Sequence, residues 1–237
     1  MLSLHAARQH QPAITCSSPE IGRSIGHWVG NGTADLGVSG FVTDVELSEY
    51  LPTFHDVTQS AIAAFDMVCT TPLSVNGIWT LTDDEQLEQT LENTAGVAAQ
   101  HTLGYLQQNA AATLRGPGGV RQIGLRNGLI GVRFQHGQAY NGAPDLHDHI
   151  VILNLALGDD GRWGPLDEDL LTGSIEAASE HHTRQLIAAI EDRTGLRFQH
   201  RHDPRDQVAR WELALASKHI LEPFRGLPSV RDQAVTT

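Results

Sequence analysis

One apolar stretch constrains the fold more than any other part of the sequence. The run from Leu146 to Ala156 is mostly apolar. Its first four residues nevertheless include two histidines, His147 and His149, which are separated by Asp148. Successive side chains of a β-strand point to opposite faces of the sheet, so both imidazoles face one side and Asp148 faces the other. The sequence therefore predicts a buried strand that presents a pair of histidines on one face of a sheet.

A third histidine ends the strand-like run that precedes this stretch. The run from Leu129 to His136 is followed by a polar loop, residues 137–145, which contains glycines and a proline. Such a loop allows the two strands to pair antiparallel, which would bring His136 beside His147 and His149. Three imidazoles are a ligand set typical of catalytic metal sites, because they leave coordination positions open. A short His-x-His pattern also occurs in ordinary core strands, so the pattern alone leaves both interpretations open.

A carboxylate in a separate buried strand favours the metal interpretation. Residues 60–70 form an apolar run that predicts a second buried strand, and Asp66 lies inside it. An unpaired buried carboxylate is costly, whereas a carboxylate commonly orients a metal-bound imidazole through its free ring N–H. We therefore expect Asp66 to lie near the metal site. His181 and His182 fall in a predicted helix, where sequence neighbours point apart, and we expect no chelation by this pair.

The composition is that of a globular protein and argues against strong nucleic-acid binding. The 237 residues include 40% hydrophobic and 19% charged residues, and the net charge is −12. Nucleic-acid binders usually carry a basic face, for which the one local candidate is the cluster Arg115, Arg121, Arg126 and Arg133. Two cysteines are too few for a disulfide framework, and the lack of such a framework is typical of cytoplasmic proteins. We predict a cytoplasmic protein with no signal peptide and no membrane span.

The order of predicted elements indicates a single α+β domain over residues 1–237. Long amphipathic patterns predict helices over about 85–112 and 174–193, and strand-like runs lie between and around them. A further helix is predicted from Val45, with Thr43 or Asp44 as its N-cap. Residues 1–25 are polar and aperiodic, so no regular structure is predicted for them. No repeat or low-complexity linker divides the chain.

The histidines stand within a longer pattern that is similar to a known family. Phe134 lies two residues before His136, and the Pro144–Asn154 segment that contains the His-x-His pair is followed by Asp-Gly-Arg-Trp at 160–163. Segments 28–40, 66–75 and, faintly, 211–224 match further motifs in the same order. This pattern resembles the relaxase domain of MobF-type (TrwC/TraI-like) conjugative relaxases, which belong to the HUH family. The resemblance extends over nearly the whole chain.

The resemblance implies a mainly antiparallel, five-stranded sheet flanked by helices, with a divalent metal ion on the sheet face. It implies that His136, His147 and His149 are the ligands, and that Asp66 orients a ligand or acts as a base. Zinc, manganese, magnesium, nickel and iron are all candidate ions, because imidazole ligands alone do not distinguish between metals. In the family, the ion polarises a scissile phosphate of single-stranded DNA, and an N-terminal tyrosine attacks it.

This sequence departs from the family pattern at residues that act on DNA. The family's nucleophilic tyrosines precede the segment that begins at Trp28, and this sequence has no tyrosine before Trp28. A family lysine is replaced by Leu73. Asp145 and Asp148 stand where the family has glutamine and threonine, and we expect them to add negative charge beside the ion.

These departures favour a relaxase-like metalloprotein that acts on a small or non-DNA substrate. The ion would act as a Lewis acid or activate water. Tyr140, in the loop between the ligands, is a candidate substrate contact, although an ordinary loop tyrosine is the simpler interpretation. The alternative is a protein that binds or nicks single-stranded DNA with water or a replacement nucleophile such as Ser17, Ser18 or Tyr140. A third interpretation is a non-catalytic binding module that keeps the ion as a structural remnant or regulator.

Overall fold

The computed structural model describes residues 1–8, 25–43, 45–47, 60–139, 142–202 and 209–214. Its centre is a six-stranded sheet in which every pair of neighbours is antiparallel. In spatial order, the strands are β1 (Leu2–Arg8), β4 (Ile62–Thr70), β8 (Pro144–Leu153), β7 (Gly131–Gln138), β2 (Ile25–Val29) and β3 (Phe41–Thr43). The two strands with the longest apolar runs, β4 and β8, therefore pair with each other and have a neighbouring strand on both sides.

Helices cover one face of this sheet, which we call the helical face. These helices are α2 (Leu73–Leu81), α3 (Glu85–Asn109), α4 (Glu168–Gly173) and α5 (Ile175–Thr194), whereas Leu36 of the short α1 (Thr33–Leu36) packs on the opposite face. Asp84 caps α3, because its side chain accepts hydrogen bonds from the backbone N–H groups of Gln86 and Leu87. Apolar side chains of β4 and β8 such as Met67 and Ile152 pack against α3 residues such as Leu103.

The opposite face of the sheet, which we call the histidine face, has its own apolar cluster. Val132 and Phe134 of β7 pack there with Val151 and Leu153 of β8. Alternation along each strand assigns neighbouring residues to opposite faces, so Ile150 and Ile152 belong to the helical face. Two separate apolar clusters fix the register of the central strands, because a shift by one residue would exchange every side chain between them.

Three small hairpins lie outside the main sheet. They are β5 (Ala112–Arg115) with β6 (Arg121–Gly124), β9 (Ala156–Leu157) with β10 (Trp163–Gly164), and β11 (Phe198–His202) with β12 (Ala209–Leu213). Arg115 joins the first two hairpins, since its Nε and Nη2 donate to the two carboxylate oxygens of Asp160 at 2.9 and 3.0 Å. The third hairpin packs its Phe198 and Leu213 into the cluster around α2.

The predicted α+β class, with an antiparallel sheet flanked by helices, is confirmed, but the predicted number of five strands is wrong. No structure was predicted for the N-terminal residues, whereas β1 is an edge strand paired with β4. Its apolar residues Leu2 and Leu4 pack on the helical face, while Ser3 between them and His5 after them are polar. This alternation is too short to stand out in the sequence. The extent of the domain, residues 1–237, stays a prediction.

The predicted cap at Thr43 is confirmed by a reciprocal pair of hydrogen bonds. The Thr43 N–H donates to Glu46 Oε2 at 2.8 Å, and the Glu46 N–H donates to Thr43 Oγ1 at 3.1 Å. This arrangement is a capping box at the start of the helical turn over residues 45–47. Within the described ranges, the helices are all too short or too polar to cross a membrane.

Candidate metal centre

Three histidines meet on the histidine face, where β7 and β8 pair. His136 lies directly opposite His147 in the antiparallel register, and His149 follows two residues later on the same face. One ring nitrogen from each imidazole lies within 4.8 Å of the others. The ring centroids are 5.0 to 5.4 Å apart. The predicted convergence of His136, His147 and His149 is therefore present, and we call this group the histidine centre.

A bulge in β7 sets the position of His136. The register with β8 shifts between His136 and Gln138, and Gly137 lies at the shift. A Cβ added at Gly137 would lie 2.7 Å from Cη2 of Trp79, so the indole ring packs directly on this glycine. Trp79 is itself held by its Nε1, which donates to Glu92 Oε1 at 3.1 Å. Bulges commonly re-aim a side chain beside a functional site.

Two of the imidazoles are oriented through their Nδ1 atoms. His147 Nδ1 donates to the backbone oxygen of Asp145 at 2.8 Å. His149 Nδ1 donates to the carboxylate of Asp66, with its two oxygens at 2.9 and 2.8 Å. Because both acceptors are oxygen atoms without a proton to give, Nδ1 carries a proton, and in the neutral ring Nε2 then keeps its lone pair. This is the arrangement in which outer hydrogen bonds fix metal-binding imidazoles.

The third imidazole, that of His136, has a ring nitrogen without a hydrogen-bond partner. The Nδ1 atom of His136 is buried and has no hydrogen-bond partner. Such an atom costs free energy unless something bonds to it. The three imidazoles, one of which contains this unsatisfied nitrogen, fit a divalent cation of the kind that prefers imidazole ligands. His147 and His149 are buried, whereas His136 is partly exposed and gives the centre its side toward solvent.

Asp148 does not add charge beside the histidines, so the sequence-based expectation for this residue is wrong. It faces the helical face, where Arg133 Nε donates to Asp148 Oδ1 at 2.6 Å. The Asp148 side chain is fully buried, and this burial raises its pKa, while the adjacent Arg133 guanidinium opposes the rise. The ion pair lies behind the sheet and neutralises the charge there.

Asp145 lies close to His147 but outside the ligand group. Its backbone oxygen accepts the His147 hydrogen bond, and its side-chain Oδ1 accepts from Asn76 Nδ2 at 3.0 Å. Its other carboxylate oxygen is buried without a hydrogen-bond partner. Asp145 therefore orients the His147 ring through its backbone oxygen, a contact that the sequence pattern did not indicate.

The four arginines that were the local candidate for a basic face have different surroundings in the structure. Arg115 is bound to Asp160 and Arg133 to Asp148. Arg121 and Arg126 are exposed at the β5–β6 hairpin. Two of the four guanidinium groups are therefore neutralised by carboxylates within the protein, and the cluster does not form one continuous cationic surface.

Several candidate reactive residues lie outside the described residues. They are Ser17, Ser18 and Tyr140. Within the described ranges, Tyr105 is the one tyrosine, and it lies on α3, where its ring stacks on His181 with centroids 4.6 Å apart. Because α3 covers the helical face, Tyr105 is on the far side of the sheet from the histidine centre.

Comparisons with known proteins agree with this geometry. The family model described as TrwC relaxase matches residues 19–236. Among the curated proteins, no similar sequence was found. Two solved structures of the conjugative relaxase TrwC in complex with OriT DNA superimpose on this fold. The metal-free complex has a TM-score of 0.75 and 22% identity over 94% of this chain and 78% of that chain. The metal-bound complex has a TM-score of 0.74 and 21% identity over 95% and 80%.

A third structure, TrwC with a 27-mer DNA that comprises the recognition hairpin and the cleavage site, has a TM-score of 0.72 and 22% identity. It covers 94% of this chain and 78% of that chain. At these identities the structural matches establish the fold, while the family model covers most of the sequence. The chain therefore belongs to the TrwC relaxase family.

Proposed function

We propose that this protein binds single-stranded DNA at the histidine centre, where a divalent ion holds a phosphodiester group for cleavage. The observation that carries the proposal is the convergence of His136, His147 and His149 with two Nδ1 atoms already engaged. Metal ligands in this state point unprotonated nitrogens at one position. The DNA part of the proposal is supported by the family, since the solved TrwC structures contain OriT DNA.

The residues around the centre suit an ion that carries its full positive charge. The three imidazole ligands add no negative charge of their own, and Asp148 is paired with Arg133 on the other face. The nearest carboxylates, those of Asp66 and Asp145, lie outside the ligand group, where Asp66 is engaged by the His149 N–H and Asp145 by Asn76. When bound, a divalent ion supplies Lewis-acid polarisation of a phosphoryl oxygen. The net charge of −12 argues against a broad cationic surface for DNA. In this proposal the phosphate instead meets positive charge at the metal ion itself.

Asp66 acts in this proposal as the orienting group for His149 rather than as a base. Both of its carboxylate oxygens lie within 2.9 Å of His149 Nδ1, so the carboxylate is already engaged by the imidazole N–H. A carboxylate in this position fixes the ring and raises the basicity of its other nitrogen. The proton of an attacking group would therefore pass to solvent or to the leaving oxygen.

Cleavage by this protein is proposed to proceed without a phosphotyrosyl intermediate. The sequence contains no tyrosine before Trp28, and Tyr105 lies on the far side of the sheet. The other two tyrosines, Tyr50 and Tyr140, lie outside the described residues. We propose water as the attacking group: its oxygen forms the new bond to phosphorus, and the bond from phosphorus to the leaving oxygen breaks. The water proton goes to solvent, and the leaving oxygen takes up a proton.

The comparisons favour DNA over the small or non-DNA substrate that the missing tyrosines suggested. No comparison points to another substrate, and the solved relatives are DNA complexes. The identity of the ion, the contribution of Tyr140 and the cytoplasmic location stay predictions.

Binding of a labelled single-stranded oligonucleotide, measured by fluorescence anisotropy over a salt series with and without Mn²⁺, tests the proposal. We expect affinity that falls linearly on a logarithmic plot against salt, is higher with Mn²⁺, and loses this increment in His147→Ala. A duplex of equal length is the control. We expect slow strand cleavage on denaturing gels and no covalent adduct. Binding that is absent at all salt concentrations would contradict the DNA proposal, and a phosphotyrosyl peptide would contradict the water mechanism.

A further inference from the structure

We infer that Asn76 is a positioning residue for the histidine centre, because it fixes the peptide group whose oxygen orients the His147 imidazole. This inference rests on the proposed metal site. Asn76 does not contact the three ligands themselves and belongs to helix α2. Its influence passes through the backbone between Asp145 and Leu146.

The Asn76 side chain is buried and fully engaged with the start of β8. It is 4% exposed. Its Oδ1 accepts from the Leu146 N–H at 2.8 Å, and its Nδ2 donates to Asp145 Oδ1 at 3.0 Å. Thr71 Oγ1 also donates to Asn76 Oδ1, at 2.9 Å. One amide therefore holds the side chain of Asp145 and the backbone of the next residue.

The rigid peptide group carries this constraint to the metal ligand. The carbonyl of Asp145 and the N–H of Leu146 belong to one planar peptide unit, in which the two bonds point in opposite directions. Asn76 Oδ1 holds the N–H end, and His147 Nδ1 donates to the carbonyl end at 2.8 Å. A fixed N–H direction therefore fixes the direction of the carbonyl oxygen that orients the imidazole. The two hydrogen bonds also polarise the same peptide and strengthen each other.

The topology explains why a side chain is needed at this place. Strand β4 pairs with β8 only as far as Thr70, which lies opposite His147. The backbone of Leu146 lies beyond that last pair. Asn76 accepts from its N–H, and the Leu146 carbonyl oxygen lies 3.1 Å from Thr71 Oγ1, whose one hydroxyl proton is shared between this oxygen and Asn76 Oδ1. These two side chains continue the hydrogen-bonding ladder by one residue, at the position where the His147 ring is set.

The same strand offers a matched control at its other end. Asn154 follows β8 directly, is 3% exposed, and also makes three side-chain hydrogen bonds. Its partners are Ser60, Ile62 and Leu166, none of which belongs to the histidine centre. A variant at Asn154 removes a comparable buried amide without altering the peptide before His147.

The test is a Co²⁺ titration followed by visible absorption and calorimetry, with apo-protein stability measured in parallel by urea unfolding. In Asn76→Ala we expect Co²⁺ to bind about 10- to 100-fold more weakly, with d–d bands that differ from those of the wild type. In Asn154→Ala we expect a similar loss of stability, Co²⁺ affinity within about two-fold of wild type, and unchanged bands, because an interaction distant from the ligands leaves their geometry intact.

A charge-conserving exchange provides the rescue and covers the case in which Asn76→Ala does not fold. The double variant Asn76→Asp with Asp145→Asn keeps an acceptor for the Leu146 N–H and a donor–acceptor pair between the two side chains. We expect its affinity to return to within a few-fold of wild type, and the Asn76→Asp single variant, with two facing carboxylates, to bind more weakly than the double variant.

Equal Co²⁺ affinity and identical bands in wild type and Asn76→Ala, or equal losses in Asn76→Ala and Asn154→Ala, would overturn the inference. A double variant that folds but binds no better than Asn76→Asp would do the same. These outcomes are distinct from failure of the proposed metal site, in which the wild-type protein itself would bind no Co²⁺, and from failure of the DNA proposal, in which the wild-type protein would bind Co²⁺ but no single-stranded DNA.

Discussion

The carboxylate of Asp66 receives the Nδ1–H of His149 between its two oxygens, at 2.9 and 2.8 Å. The two residues come from the neighbouring strands β4 and β8, 83 positions apart in the chain. The contact fixes both the tautomer and the direction of the ring that we propose as a ligand.

Replacement of Asp66 by alanine is expected to weaken binding of a divalent ion by about 10- to 100-fold, because His149 loses its orienting partner. Asp66→Asn retains an acceptor without the charge, and we expect a smaller loss. Equilibrium dialysis with metal analysis measures both. Since Asp66 is partly exposed, the fold should persist, which circular dichroism checks. Wild-type affinity in Asp66→Ala would show that this contact has no part in metal binding.

Loss of Arg133 is expected to destabilise the protein strongly, because it leaves the carboxylate of Asp148 buried without its cation. Asp148 is fully buried and Arg133 only slightly exposed. Breaking such a pair typically costs about 3–5 kcal/mol, so we expect a loss of this order in Arg133→Ala by urea unfolding. The double variant Arg133→Met with Asp148→Leu should recover most of the loss. A loss below about 1 kcal/mol in the single variant would place the pair among weak, solvated contacts.

Gly96 of α3 is expected not to tolerate a side chain, because the Arg133 guanidinium occupies the space beside it. A Cβ at Gly96 would clash with the Arg133 guanidinium, which lies directly against this glycine. Because Arg133 Nε is bound to Asp148, the guanidinium can move aside only at the expense of that ion pair, and we expect Gly96→Ala to lower the free energy of unfolding by about 1–3 kcal/mol. Gly104, in the same helix, has no atom within 4 Å of the added Cβ.

Gly104→Ala serves as the matched control and should raise stability by up to about 1 kcal/mol through helix propensity. In an Arg133→Ala background the Gly96→Ala change should also become neutral or stabilising. A persistent penalty in that background would mean that something other than the guanidinium occupies the space.

Cys69 is expected to be inert to thiol reagents while the protein is folded. Burial raises the pKa of its thiol well above the usual range, and the nearby Asp148 carboxylate adds to the rise. Because the thiolate is the reactive form, a Cys16→Ser variant at pH 8 should give no reaction with Ellman's reagent. One thiol should react after denaturation in guanidinium chloride. Rapid stoichiometric labelling of the native variant would contradict the buried position.

The histidine centre could be predicted from the sequence because its three histidines lie close together in the chain, on two strands joined by one loop. Alternation along one strand assigns His147 and His149 to one face, and a short loop returns His136 to the same place. Asp66 was predictable as well, since a carboxylate inside an apolar strand needs a partner. These inferences require only the period of a strand and the cost of burying a charge.

The supporting contacts could not be predicted, because they depend on distant residues. Asn76 meets Asp145 from 69 positions away, and nothing in the sequence around Asn76 indicates such a partner. The expectation that Asp148 adds charge beside the ion was wrong because Asp148 lies on the face opposite the histidines, as strand alternation itself predicts. The sequence gives the face on which Asp148 lies, but its cation, Arg133, becomes apparent only when β7 and β8 pair.

Metal content is the measurement that tests the central claim most directly. Purified wild-type protein and the variants His136→Ala, His147→Ala and His149→Ala are dialysed against one divalent ion and analysed by mass spectrometry for metal per chain. We expect one ion per wild-type chain and a large loss in each variant, because each removes one of three ligands. Stoichiometry that is unchanged in all three variants would contradict a metal centre built from these histidines.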